Sequence, residues 1–109
     1  MNTAAVQAAL DTLRAALDAG QPEGAFLACA GVLEALSNLC YEADGKPLPP
    51  LEERFSRLPE TRLGEKFRPN LEAYGRVCRR LDGVVPGRGA ETFPQYTDGV
   101  RLLARLRDF

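Results

Sequence analysis

The chain reads as one all-α domain over residues 1–109, an antiparallel bundle of four to five helices. Three observations predict this. Leu and Ala, both strong helix formers, dominate the apolar residues. These residues recur at three- and four-residue spacing, and no alternating segment long enough for a convincing strand appears. Gly and Pro cut the chain into four long segments and one short one, each with helix start or stop signals. A length of 109 residues suits one domain with one core.

The first element is "NTAAVQAALDTLRAALDAG". Asn2 or Thr3 caps it, and Gly20 stops it. Val6, Ala9, Leu10, Leu13, Ala16 and Leu17 form one apolar stripe. After "GQP", Pro22 suits the first position of the second helix. That helix, "EGAFLACAGVLEALSNLCYEADG", is the most apolar stretch. Phe26, Ala30, Leu33, Leu36 and Cys40 make one stripe, while Leu27, Val32 and Leu39 lie on other faces. A helix apolar over most of its circumference predicts burial between neighbours or in a subunit interface. Ala25, Ala28, Ala30 and Gly31 permit a close crossing.

"KPLPP" cannot be helical, because each proline forces extended backbone before it. "PLEERFSRL" predicts a short third helix with acidic residues in its first turn. "PETRLGEKFRPN" predicts a turn of helix, restarted or kinked at Pro69. "NLEAYGRVCRRLDG", residues 70–83, predicts the next main helix, with Phe67, Leu71, Tyr74, Cys78 and Leu81 on its inner face. "GVVPGRGAE" is a loop. "TFPQYTDGVRLLARLRDF" is the last helix, with Thr92 and Gln95 as a capping-box pair. Tyr96, Val100, Leu103 and Leu106 are expected to face inward.

The net charge of −1 hides an asymmetry: residues 1–53 carry two basic and eight acidic residues, and residues 54–109 carry twelve basic and seven acidic. Either the halves pack together and neutralise each other, or the second half offers a basic face to an anionic partner such as RNA. A sequence pI near 5.5 argues against strong non-specific nucleic-acid binding. No signal peptide and no apolar run of about 20 residues is visible, so the expectation is a cytoplasmic protein with no membrane. Cys29 and Cys40 would lie about 16 Å apart along one helix, too far for a disulfide. The three cysteines read as reduced core residues.

The chain has no histidine. That removes the commonest general base and metal ligand, and with it every Ser–His or Cys–His nucleophile. With no CxxC pair and no ExxH, neither a zinc site nor a di-iron site is expected. The loop at 83–89 follows no strand, so it is not a nucleotide-binding phosphate cradle. No catalytic residue, cofactor or metal is assigned, and the reading leans away from an enzyme.

One stretch needs its own account: "CRRLDGVVPG", residues 78–87. Arginines at a helix end are favoured by the dipole and by free carbonyls, and Asp82 can pair with Arg79 or Arg80. The whole layout also resembles the HEPN family over about residues 5–107. The shared features are two apolar helices, a Pro-rich crossover, an Arg-bearing helix ending in "RRLDGVVPG" and a closing helix. In that family an arginine and a following polar residue precede a histidine by about four to six positions, and the pair cleaves RNA, often across a dimer. Here Arg80 matches the arginine (Arg79 is the alternative alignment), Asp82 the polar residue, and Pro86 stands where the histidine belongs. Pro86 has no side-chain proton to exchange, so the resemblance implies a non-cleaving member, dimeric through its second and fourth helices and bound to a partner protein. The competing expectation is an RNA- or nucleotide-binding face made by Arg76, Arg79, Arg80, Asp82 and Arg88, in which the planar forks of the arginines suit phosphate.

Overall fold

The computed structural model describes residues 2–109. Among them the regular structure is entirely helical. Helix α1 spans Ala4–Asp18, α2 Pro22–Ala43, α3 Leu51–Arg54, α4 Arg62–Lys66, α5 Arg68–Val77 and α6 Pro94–Arg107; 3₁₀ turns occupy Leu58–Glu60 and Ala90–Thr92. The elements fill an elongated body of 41 × 28 × 22 Å.

The long α1/α2 pair is the base of the molecule. The Asn2 side chain accepts from the Ala4 amide at 3.0 Å and so starts α1, as its sequence suggests. Val6, Leu10, Leu13, Ala16 and Leu17 bury the expected stripe, and Ala9 packs at its edge. Gly20 turns the chain at φ +67°, where a side chain would also strike the backbone of Val85 and Pro86. The α1–α2 turn thereby backs the loop that carries Pro86.

Helix α2 keeps Leu36 and Cys40 of the expected stripe in the core, but its N-terminal half presents a different set. Ala25, Ala28, Cys29, Val32, Leu36, Leu39 and Cys40 are buried. Phe26 is 58% exposed and Leu27 71% exposed; Ala30 is exposed and Leu33 half-buried. Packing decides between the two stripes: α1 lies closest to α2, and the small residues Ala25, Ala28 and Cys29 allow that approach where Phe26 and Leu27 would hold it off.

The Pro-rich crossover is clamped rather than loose. Arg54 donates to Pro49 O and to Asn38 Oδ1 on α2 (2.7 Å for the latter), and Tyr41 donates to Arg57 O at 2.8 Å. Asp44 accepts from the Arg62 amide at 2.9 Å and from its Nε at 3.1 Å. Those bonds, the backbone one foremost, lower the Asp44 pKa. The unfolded value is near 3.9, so the stabilisation is complete above it and is lost as pH falls through the lower folded value. Asp44→Asn is expected to lower the melting temperature at pH 7, with the gap to wild type narrowing below about pH 4. Parallel melts of the two proteins at both pH values check this.

Several boundaries differ from the sequence reading. Helix α3 is a single turn, and residues 59–70 hold a 3₁₀ turn, α4 and the start of α5, with Pro69 in the first turn of α5. Helix α5 ends at Val77, not Gly83. The amides of Arg79 and Arg80 bond three residues back, to Arg76 O and Val77 O, which tightens the chain out of the helix. Thr92 and Gln95 form no capping box: Thr92 Oγ1 donates to Gly89 O, and Gln95 reaches back to Val77 O and Arg80 O. On α6 the buried residues are Gln95, Gly99, Leu102, Leu103 and Leu106, while Val100 is 40% exposed and Tyr96 half-buried beside Arg14. Gly99 explains the rotation. A side chain there would collide with Tyr74 Oη and Leu10, so α6 turns this position into its tightest crossing.

Candidate functional site

The arginines singled out in the sequence do not gather in one cluster. Arg76 and Arg80 are exposed. Arg79 rims a hollow between α2, α3 and α5. Arg101 and Arg105 line another hollow, between α5 and α6, where Arg101 pairs with Asp98 at 3.2 Å. Arg79 and Arg101 therefore lie on two sides of α5. Arg88 folds back over the Phe93 ring, 4.5 Å from its centre, and donates to Gly83 O at 3.4 Å. Asp82 is exposed and pairs with neither Arg79 nor Arg80, because the chain has already left the helix. Among the described residues, Arg76, Arg79 and Arg80 have no ion-pair partner.

The halves of opposite charge are joined in that sense by one ion pair among the described residues, Asp44 to Arg62. Most of the asymmetry stays on the surface.

The cysteines are buried. Cys29 of α2 lies against Cys78 at the end of α5; the neighbouring sulfur and the loss of water raise the Cys29 pKa. Burial pushes Cys40 up to about 11, against the opposing effect of its bond with Thr61. Burial likewise raises Tyr74, whose hydroxyl donates to Gln95 O at 2.6 Å. Cys29, Cys40 and Tyr74 are held protonated in the core, while the hydrogen bond from Cys29 lowers the Cys78 pKa. No set of three or more Cys, Asp or Glu able to hold a metal gathers among the described residues.

The feature that stands out is the outer face of α2. Phe26, Leu27 and Ala30 are exposed along it at helical spacing, and the half-buried Leu33 continues the run with its inner side against the core. At the N-terminal end Phe26 and Leu27 stand proud beside Pro22, Glu23 and Leu81. One to two turns further on, the surface falls into a hollow of about 340 Å³ lined by Ala30, Leu33, Glu34, Ser37, Leu51, Phe55, Gly75 and Arg79. Local structure builds this wall. The Arg54 bonds to Pro49 and Asn38 hold α3 against α2, which places Leu51 and Phe55 at the edge. Gly75 lets the Phe55 ring lie on α5, 3.5 Å from where a side chain would begin.

Against the expectation that no apolar run reaches about 20 residues, helix α2, alone among the described residues, has the length and apolarity of a membrane-crossing helix; half of its most apolar stretch is buried in the core, as for a core helix. Its apolarity thus divides into a core face and an exposed face. The sequence signalled the excess apolarity but not which stripe is outside. Compared with protein-family models, curated proteins and solved structures, the chain matches none.

Proposed function

We propose that the chain is a non-catalytic interaction module, an up-and-down helical bundle of HEPN-like layout, which self-associates and docks a partner protein through the outer face of α2. The observation that carries this reading is the exposed run Phe26–Leu27–Ala30, continued by the half-buried Leu33, beside an apolar hollow. Large side chains 58% and 71% exposed on the most apolar helix lower the free energy when covered. The order of the helices, the Pro-rich crossover and the loop after α5 support the HEPN-like layout. The missing histidine, with Pro86 in its place, leaves that layout without a proton carrier near neutral pH. Three buried, unpaired thiols suit the reducing cytoplasm.

The test is solution mass by light scattering over a range of concentrations. The wild-type chain is expected above monomer mass, and Leu27→Glu at monomer mass with unchanged helicity. A monomer at every concentration that also retains no polypeptide partner would end this reading. The alternative, an RNA- or nucleotide-binding face, rests on the unpaired Arg76, Arg79 and Arg80; affinity for an oligoribonucleotide that falls steeply with salt would favour it.

A further inference from the structure

We propose that the occupant of the α2 outer face is a second copy of this chain, packed antiparallel about a two-fold axis beside Ala30 and Gly31. The inference rests on the reading of that face as a docking surface; it narrows the occupant to a second copy alone and adds the direction and register.

The face is complementary to itself. Its two halves are a pair of projecting side chains, Phe26 and Leu27, and the adjoining apolar hollow. A two-fold interface uses each patch twice, the projection of one copy entering the hollow of the other. With the axis at position 30, a residue i lies opposite about 60 − i on the other helix, counted at 1.5 Å per residue. Leu27 then faces Leu33 of the partner subunit, and Phe26 lies on the stem of the partner's Glu34. Gly31 and Ala30 sit at the crossing. A side chain added at Gly31 would meet no atom within 4 Å, so the surface there is open to a closely approaching helix.

Charge selects the direction. Glu23 in the first turn of α2 and Arg79 on the rim of the hollow form no ion pair within the chain. In the antiparallel register Glu23 arrives opposite Ser37 of the partner subunit, on the hollow that the partner's Arg79 rims. A parallel arrangement would instead set Glu23 against the same acid of its neighbour, and likewise Glu34, placing like charges together. The apolar centre supplies affinity; the rim charges fix direction and contribute less.

The experiment combines solution mass with two sets of variants. Ala30→Cys lies on the axis and is expected to form an intermolecular disulfide under mild oxidation, in which two thiols lose two protons and two electrons to a copper–phenanthroline oxidant. The native cysteines are buried and act as the internal control. Glu23→Arg and Arg79→Glu are each expected to weaken self-association about tenfold, and the double reversal in one chain to restore it. A dimer that Leu27→Glu abolishes, but that neither cross-links at position 30 nor responds to the reversals, would overturn the register while leaving the docking surface intact. A monomer that retains a different polypeptide on α2 would overturn the second copy as occupant. A dimer unaffected by Leu27→Glu would overturn the docking surface itself.

Discussion

Gly64→Ala is expected to cost about 3 kcal/mol or more and to leave a large share of the chain unfolded near 40 °C. Gly64 opens α4 beneath the 3₁₀ turn Leu58–Glu60. Its added methyl would sit 1.9 Å from Leu58 O, 2.5 Å from Leu58 C and 2.6 Å from Thr61 Oγ1. None of these atoms is the free end of a flexible side chain. Leu58 O already accepts from Thr61 Oγ1 at 2.8 Å, and Thr61 Oγ1 accepts from the Gly64 amide at 2.9 Å. Relief of the clash therefore breaks the cap of α4 as well. Gly31→Ala is the matched control: it meets nothing within 4 Å and lies in mid-helix, so it should gain about 0.5–1 kcal/mol. Both are best measured by denaturant unfolding in the Leu27→Glu background, which removes any contribution of the outer face. A loss below about 1 kcal/mol for Gly64→Ala would contradict the close packing of the 58–64 knot.

That knot is where sequence reading was weakest, and the reason is physical. Residues 59–70 lack a long periodic run, so no repeated spacing marks α4; its start is set by Thr61, whose hydroxyl serves one carbonyl and one amide at once. In α1 the opposite holds. Its single apolar stripe matches its single buried face, and the structure repeats the reading residue for residue except at the edge position Ala9. Helix α2 lies between these cases. Two stripes compete there, and hydropathy alone favours the one with Phe26. The size of neighbouring side chains reverses the choice, because α1 needs Ala25, Ala28 and Cys29 to come close. A rule that weighs only apolar character cannot see that the larger residues are better placed outside.

The candidate site was legible in part for the same reason. Excess apolarity on α2 means more apolar surface than one core face can take up, and the structure leaves Phe26 and Leu27 outside. The hollow next to it was not visible, since it is assembled from Leu51, Phe55, Gly75 and Arg79 on three separate segments. The arginine stretch misled in a local way. Reading "RRLDG" as a helix end assumed helix through Asp82, which would have brought Asp82 within reach of an arginine. The two i→i+3 bonds after Val77 end the helix earlier and turn Arg79 toward α2.

Gln95 holds that early ending in place, and Gln95→Glu is the second large effect. Gln95 is 3% exposed. Its amide nitrogen donates to Val77 O at 3.2 Å and to Arg80 O, and its oxygen is buried with no hydrogen-bond partner. A glutamate of nearly the same shape replaces the donor with a charge aimed at two carbonyl oxygens. Burial and those oxygens both disfavour the ionised form, so its folded pKa must rise above the unfolded value near 4.3. Stability of a group raised in this way is retained at low pH and lost as pH increases through the folded pKa. The variant should therefore lose about 3 kcal/mol relative to wild type at pH 8, and about 1 kcal/mol at pH 4.5, where the protonated acid again donates one hydrogen bond. Comparing both proteins at the same pH cancels the titration of Asp44. The released turn carries Arg79 and Leu81, two residues bordering the α2 face, so the self-association proposed for that face should weaken in step with the stability loss although no residue of that face has changed. Equal destabilisation at both pH values would show that Gln95 acts through its shape rather than through its donated hydrogen bonds.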